Sequence, residues 1–317
     1  LGGAFGYGAV ASAKLAVDEL IAPLCVGQDA TRIGPLMLEV QKKLHVLGRG
    51  GALTYGLSAV DIALWDIAGK LANAPVCQLL GGGLTDMPCY TSLDRYSDPS
   101  LLRAVVRQEI DAGFQALKLH EIDLRAIKAA RDEAGPDVEL INDASCPWTL
   151  TEARAAAQGL KAVSLKFLEE PLWPPENFGG LAELRRTSGI PIGSGENVST
   201  FMEFERMLAA GTVDFVQPGP AKMGGISELC KVFPLAAIHN IPVMTHSFYD
   251  GPGLLAAIHA IAALGTADSM IEWRRFDLEA TIYGAAFTTE GGRISVPDGP
   301  GLGSDPNPDV ISAYRVG

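Results

Sequence analysis

From residue 87 onward the chain alternates short apolar runs with amphipathic stretches. The runs are Met87–Ser92, Ala116–His120, Val138–Asp143, Leu165–Glu169, Ile190–Glu196, Asp214–Gly219, Ile241–His246 and Ser269–Trp273. Each has the length of a buried strand, and the segments between them, such as 123–132 and 181–186, carry a helical period. The run ends keep a nearly constant step. Lys118 lies 25 residues before Asp143, and the later steps, to Glu169, Glu196, Gly219, His246 and Glu272, are 26, 27, 23, 27 and 26 residues. One strand, one helix and two short loops fill such a step, which predicts an α/β fold of TIM-barrel type.

Residues 1 to about 80 read differently. After a Gly-rich opening, helical patterns are predicted from Ser12 to about Leu20, halted by Pro23, from Ile33 to about Leu47, and from Ser58 to Leu71. The last places Val60, Ala63, Leu64, Ile67 and Leu71 on one face, the expected buried stripe. Gly81-Gly82-Gly83 stops the segment. The tail from Gly291 is rich in Gly, Pro and Asp and is expected to run back over the first domain. The expected division is 1–84, a helical domain, 85–285, the barrel, and 286–317, the returning segment.

Composition narrows the function classes. With 317 residues, 48% apolar and 20% charged, the chain has material for a barrel core and a smaller domain. A net charge of −12 argues against nucleic acid or an anionic membrane as partner. Five cysteines without CxxC spacing predict free thiols in a reducing, cytoplasmic setting. No apolar run approaches the ~18 residues of a membrane-spanning helix.

Parallel strands bring their C-terminal ends to one rim, so Asp143, Glu169 and Glu196 are expected to converge there. Three carboxylates at one place repel unless a cation lies between them, and an all-oxygen set favours a hard ion such as magnesium. Residues two apart on a strand share a face, so Lys118 and His120 are both expected at the barrel mouth.

An ordered series of motifs resembles the enolase superfamily in its mandelate racemase and muconate-lactonising branch. The series is 58–70, Leu80-Gly-Gly82, 141–148, Phe167-Leu-Glu-Glu-Pro171, Gly195-Glu196, Lys222-Met-Gly-Gly-Ile226, His246 and Ile271-Glu-Trp273. The resemblance implies a modified (β/α)7β barrel under an α+β capping domain whose N-terminal part looks shortened. It also implies magnesium held by Asp143, Glu169 and Glu196, with Lys118, His120 and His246 as acid–base groups and Glu272 as a hydrogen-bond partner of the substrate carboxylate. Glu170 is expected to point away from the metal. Two departures stand out: His120 takes the place of a second lysine, and Gly219 takes the place of the aspartate that partners the second histidine, unless Asp250 replaces it.

The chemistry implied is removal of a proton α to a carboxylate through an enediolate. Dehydration of an acid sugar to a 2-keto-3-deoxy acid is the expected outcome, because it requires of His246 an acid and not a strong base. Racemisation or epimerisation of a 2-hydroxy acid, cycloisomerisation of a lactone, and a catalytically silent metal-binding barrel are the alternatives. Ser145, Trp148, Tyr249 and Asp250 are candidate substrate contacts, Lys222 a support for a ligand carboxylate, and His45, His239 and His259 structural. The resemblance also implies a small carboxylate substrate and a homo-oligomer.

Overall fold

The chain was analysed as a computed structural model that describes residues 1–3, 5, 8–83, 85–274, 278–284 and 288–315. The first domain contains α1 (Val10–Leu15), α2 (Ala22–Cys25), α3 (Ile33–Leu44), α4 (Gly51–Ala72) and α5 (Val76–Leu79). The barrel follows as β1 (Asp86–Ser92), α6 (Pro99–Asp111), β2 (Ala116–Leu119), α7 (Leu124–Ala134), β3 (Glu139–Asp143), α8 (Leu150–Leu160) and β4 (Phe167–Glu169). It continues through α9 (Phe178–Ser188), β5 (Ile192–Ser194), α10 (Phe201–Ala209), β6 (Phe215–Val216), α11 (Ile226–Ile238), α12 (Pro252–Leu264) and β7 (Ile271–Trp273). A hairpin, β8 (Thr289–Glu290) with β9 (Arg293–Ser295), and α13 (Pro308–Tyr314) complete the described chain.

Strands β1 to β6 pair in parallel in sequence order, and β7 pairs in parallel with β1. Between β6 and β7 the expected strand 241–246 is reduced to a single parallel bridge, Val216 with Val243. Pro242 on one side of the bridge and Pro218 on the other have no N–H to donate, so the ladder cannot lengthen in either direction. Alternation sorts the remaining strands. Tyr90, Ala116, Ile141, Phe167, Met244 and Met270 fill the barrel interior, whereas Cys89, Leu117, Leu119, Leu140, Leu168 and Ile271 face the helices. One step further along the inward row stand Ser92, Lys118, Asp143, Glu169 and Glu272. A Cβ on Gly193 would come within 2.5 Å of the Phe167 ring, so the inner layer closes only with glycine there.

Side chains at the loop exits start the barrel helices. Asp98, Asp123, Asn177 and Thr200 each accept a backbone N–H of the first helical turn. Thr149 does so within a reciprocal capping box with Glu152.

The first domain departs from the sequence reading in two respects. Pro23 does not halt the helix: α1 runs through a π-helical turn, Ala16–Ile21, into α2, where the proline occupies the first turn and its missing N–H is not needed. The buried stripe of α4 is also different. Ile67 and Leu71 are exposed, while Ser58, Asp61, Ile62, Asp66 and Gly69 are buried. The helix turns small and polar residues toward the barrel because it docks on backbone N–H groups, not on an apolar sheet. Its apolar residues Leu53, Leu57 and Leu64 pack with Ile21, Ile33, Leu36, Met37 and Val40 into a separate small core. The C-terminal segment returns to this domain: Gly301 exchanges backbone hydrogen bonds with Ala74 and Val76, and Leu302 N–H donates to Asp66. Among the described residues, no helix is long and apolar enough to cross a membrane.

Candidate metal and catalytic site

Asp143 and Glu169 end β3 and β4, Glu196 follows the end of β5 by two residues, and the three converge, with one carboxylate oxygen of each within 4.8 Å of the others. Asp143 and Glu169 are buried and Glu196 is partly exposed. Buried carboxylates at this spacing need compensation, and the neighbours provide it unevenly. Burial pushes Asp143 upward, but the Lys118 ammonium and His120 outweigh it and hold the carboxyl below its usual range. Glu196 is likewise opposed by burial yet held well below the usual range by His246 and Lys222. Glu169 goes the other way: burial, with Asp143 and Glu272 nearby, lifts it well above the usual range despite Lys118. Its Oε2 is buried without a hydrogen-bond partner. An orphaned carboxylate oxygen inside an all-oxygen cluster fits a hard divalent cation.

Lys118 is fully buried, with Nζ 2.7 Å from Glu169 Oε1, 2.7 Å from Glu272 Oε1 and 3.6 Å from Asp143 Oδ2. Burial alone would favour the neutral amine, but Glu169 and Glu272 raise its pKa well above the ordinary lysine value. It is a fixed ammonium. Glu272 accepts from three donors: Ser92 Oγ and Lys118 on Oε1, and Ser247 N–H on Oε2.

The two histidines flank the carboxylates from opposite ends of the strand order. His120 Nε2 lies 3.2 Å from Asp143 Oδ2, and its Nδ1 is 2.5 Å from the Leu93 carbonyl. A carbonyl only accepts, so Nδ1 carries a proton, and Nε2, which faces the Asp143 carboxylate, is the nitrogen free to give up or take one. Arg95 donates to the His120 carbonyl at 2.6 Å, and the Phe248 ring lies 5.0 Å from the imidazole. At the other end His246 Nε2 is 3.1 Å from Glu196 Oε2. Its Nδ1 is buried and unpartnered. A Cβ at Gly219 would stand 3.3 Å from that nitrogen and 3.4 Å from the His246 carbonyl oxygen, so the ring packs close on the glycine and a side chain there would have to shift it by a few tenths of an ångström. Asp250 does not replace that side chain, since His246 Nδ1 has no hydrogen-bond partner and Asp250 Oδ1 accepts the N–H of Gly251.

The other expected residues are distributed around this centre. Ser145 donates to Asp143 Oδ1 through its N–H (2.6 Å) and Oγ (3.2 Å), and so holds a cluster carboxylate. Tyr249 packs edge-on to His246 at 5.7 Å and donates its hydroxyl to the His246 carbonyl. Lys222 Nζ is 3.6 Å from Glu196 Oε1 and 4.7 Å over the Phe5 ring, which also borders His246. Trp148 instead packs on the helix–sheet core, its backbone bridged to Leu172. Glu170 is turned aside not by alternation but by a left-handed backbone (φ 42°), and it accepts from Ser194 Oγ and Gly195 N–H. His259 is buried and accepts the Cys77 N–H, while His45 and His239 lie at helix ends.

Ser92, Ser247, Arg95, Phe5 and Phe248 were missed from sequence. Ser92 carried a usable signal, since it lies 26 residues before Lys118 in the same rhythm of strand ends.

Residues 101–310 match the family model for the enolase C-terminal domain-like fold. Residues 1–81 match that for the mandelate racemase / muconate lactonizing enzyme N-terminal domain. The chain therefore belongs to the enolase superfamily, in its mandelate racemase and muconate-lactonising branch, as an enzyme of lyase or isomerase type. It is 30% identical to the arabinonate dehydratase of Saccharolobus solfataricus, over 99% of this chain and 86% of that protein. It superposes on the 3,6-anhydro-D-galactonate cycloisomerase of Zobellia galactanivorans with a TM-score of 0.91 and 31% identity, covering 99% of this chain and 89% of that one. A racemase from Streptomyces coelicolor with bound magnesium gives a TM-score of 0.87 at 29% identity, covering 96% and 85%.

Proposed function

We propose that the chain removes the proton α to the carboxylate of an acid sugar in a magnesium-dependent reaction, and that loss of a β-hydroxyl follows to give a 2-keto-3-deoxy acid. The observation that carries this reading is the pair of histidine Nε2 atoms flanking one carboxylate cluster, His120 beside Asp143 and His246 beside Glu196. Asp143, Glu169 and Glu196 would hold the ion, whose chemistry when bound is to draw electron density from the substrate carboxylate and ease loss of the neighbouring proton. A relative named as an arabinonate dehydratase and a structural neighbour containing magnesium support both parts.

The chain's own groups divide the work as follows. His120, with Nδ1–H anchored on the Leu93 carbonyl, presents its Nε2 lone pair as the base. Lys118, kept as an ammonium by Glu169 and Glu272, offsets negative charge that develops beside it. His246 hands a proton to the departing hydroxyl, a task that does not need a carboxylate behind Nδ1. Tyr249 and Phe5 wall off that side from water. A cycloisomerase reading uses the same groups with a ring oxygen as the leaving atom, and the likeness to the anhydro-galactonate enzyme favours keeping it in view.

The test is mass spectrometry of acid sugars incubated with the protein and magnesium in D2O, beside His120→Asn and His246→Asn. We expect loss of water with wild type, none with His120→Asn, and deuterium uptake without dehydration with His246→Asn. Magnesium should raise the melting temperature, by about 2.7 kcal/mol of stabilisation at a hundredfold excess over its Kd. A thermal shift with magnesium and no exchange or turnover of any acid sugar, hydroxy acid or lactone would identify a silent binding barrel instead.

A further inference from the structure

The turn from Gly219 to Gly225 carries Lys222 to within 3.6 Å of Glu196. It is closed from within by Lys222 N–H to Gly219 O (2.9 Å) and Gly225 N–H to Pro220 O (3.1 Å). These bonds set the shape of the turn but not where it stands. Ala221 is held by the Tyr249 hydroxyl, which accepts its N–H, and by the Phe5 N–H, which donates to its carbonyl; the far end of the turn is held from the capping domain, by one face of α4. Ser58 Oγ accepts the Gly224 N–H at 2.8 Å, Asp61 Oδ1 accepts the Ser227 N–H at 3.0 Å, and Trp65 Nε1–H donates to Ser227 Oγ at 2.9 Å. Asp61 is fully buried, and a Cβ on Gly225 would lie 2.2 Å from its Oδ1. Two helices can pack on apolar side chains alone, and burying a carboxylate between them is costly. An acid at this contact instead pins backbone N–H groups to one position, which apolar packing does not do.

We infer that Asp61 is a positioning residue: by fixing the Gly224–Ser227 backbone it sets Lys222 against Glu196, so that the metal affinity of the carboxylate cluster depends on how the capping domain is seated. The inference rests on the metal-site reading above. Lys222 orients a ligand carboxylate, and loss of such an outer partner typically weakens metal binding by about 10- to 100-fold. One step further removed, Asp61 acts with a smaller effect.

The experiment is calorimetric titration of the whole protein with magnesium, for Asp61→Ala, Asp61→Asn, Lys222→Met and the Asp61→Ala/Lys222→Met double variant. We expect Asp61→Ala to weaken magnesium binding by about three- to tenfold and Asp61→Asn, which keeps an acceptor oxygen, to stay within about twofold of wild type. The double variant should bind no more weakly than Lys222→Met alone, because both changes interrupt one path. Wild-type affinity in a folded Asp61→Ala, or additive losses in the double variant, would overturn the inference. If Asp61→Ala does not fold, Ser58→Ala decides: weakened magnesium binding supports the inference, and unchanged binding overturns it. Absence of magnesium binding by wild type sinks the metal-site reading itself, and this inference with it.

Discussion

Lys118 Nζ and Glu272 Oε1 stand 2.7 Å apart, both fully buried, and Ser92 and Ser247 occupy the rest of the Glu272 carboxylate. Three donors hold this carboxylate in one orientation beside the ammonium. Its charge is spent on keeping Lys118 protonated and in place.

Glu272→Gln preserves the shape and removes that charge. We expect kcat to fall by about 10²-fold, the usual scale for losing one preorganised electrostatic element, with KM changed less than about threefold. Steady-state kinetics separates this from direct substrate binding, which would raise KM and spare kcat.

Gly219→Asp supplies the acceptor that His246 Nδ1 lacks, from a position whose Cβ is already 3.3 Å away. A carboxylate behind the ring makes Nε2 a better base. We expect exchange of the substrate α-proton from the His246 side to rise by at least about tenfold, with epimerised substrate recovered in D2O and dehydration slowed. An unchanged stereochemical course would show that the missing partner of Nδ1 has no bearing on proton transfer.

Burial between α4 and α11 pushes Asp61 up to about 7, assisted by Glu228 and opposed by its hydrogen bonds to the α11 N-terminus. The folded state thus binds this proton more tightly than the unfolded chain. The group contributes stability at acidic pH that is lost as pH rises through the interval from about 4 to 7. Asp61→Asn removes the titration. Denaturant unfolding should show the variant more stable than wild type at pH 8, by at most about 4 kcal/mol, with the difference fading toward pH 4. A constant difference across that range would place the effect elsewhere.

The barrel and its metal cluster were legible because a strand has a period of two and a barrel unit repeats at nearly constant length. Asp143, Glu169 and Glu196 needed only counting. The same regularity placed Lys118, His120 and Glu272 on the inner row. It could not show how Glu272 is held, since Ser92 and Ser247 come from segments about 180 and 25 residues away. The α4 face was misread for a related reason. Periodicity finds apolar stripes, and this helix buries Ser58 and Asp61 against backbone N–H groups, a partner with no side-chain signature. Pro23 misled because a proline that ends one helix and one that opens the next look alike in a sequence.

Asp66 lies on α4, yet its Oδ1 accepts the N–H of Leu302, and Lys70 pairs with Asp305. During synthesis at about 5–20 residues per second, α4 leaves the ribosome many seconds before those partners exist. The first domain made is thus among the last completed: Asp66 Oδ2 can pair with Lys70 inside α4 at once, but its Oδ1 must wait for Leu302 until nearly the whole barrel has been translated. A chain released a few residues before Leu302 should fold its barrel strands and seat α4 on the Gly224–Ser227 turn while lacking the contacts that close Asp66 and Lys70.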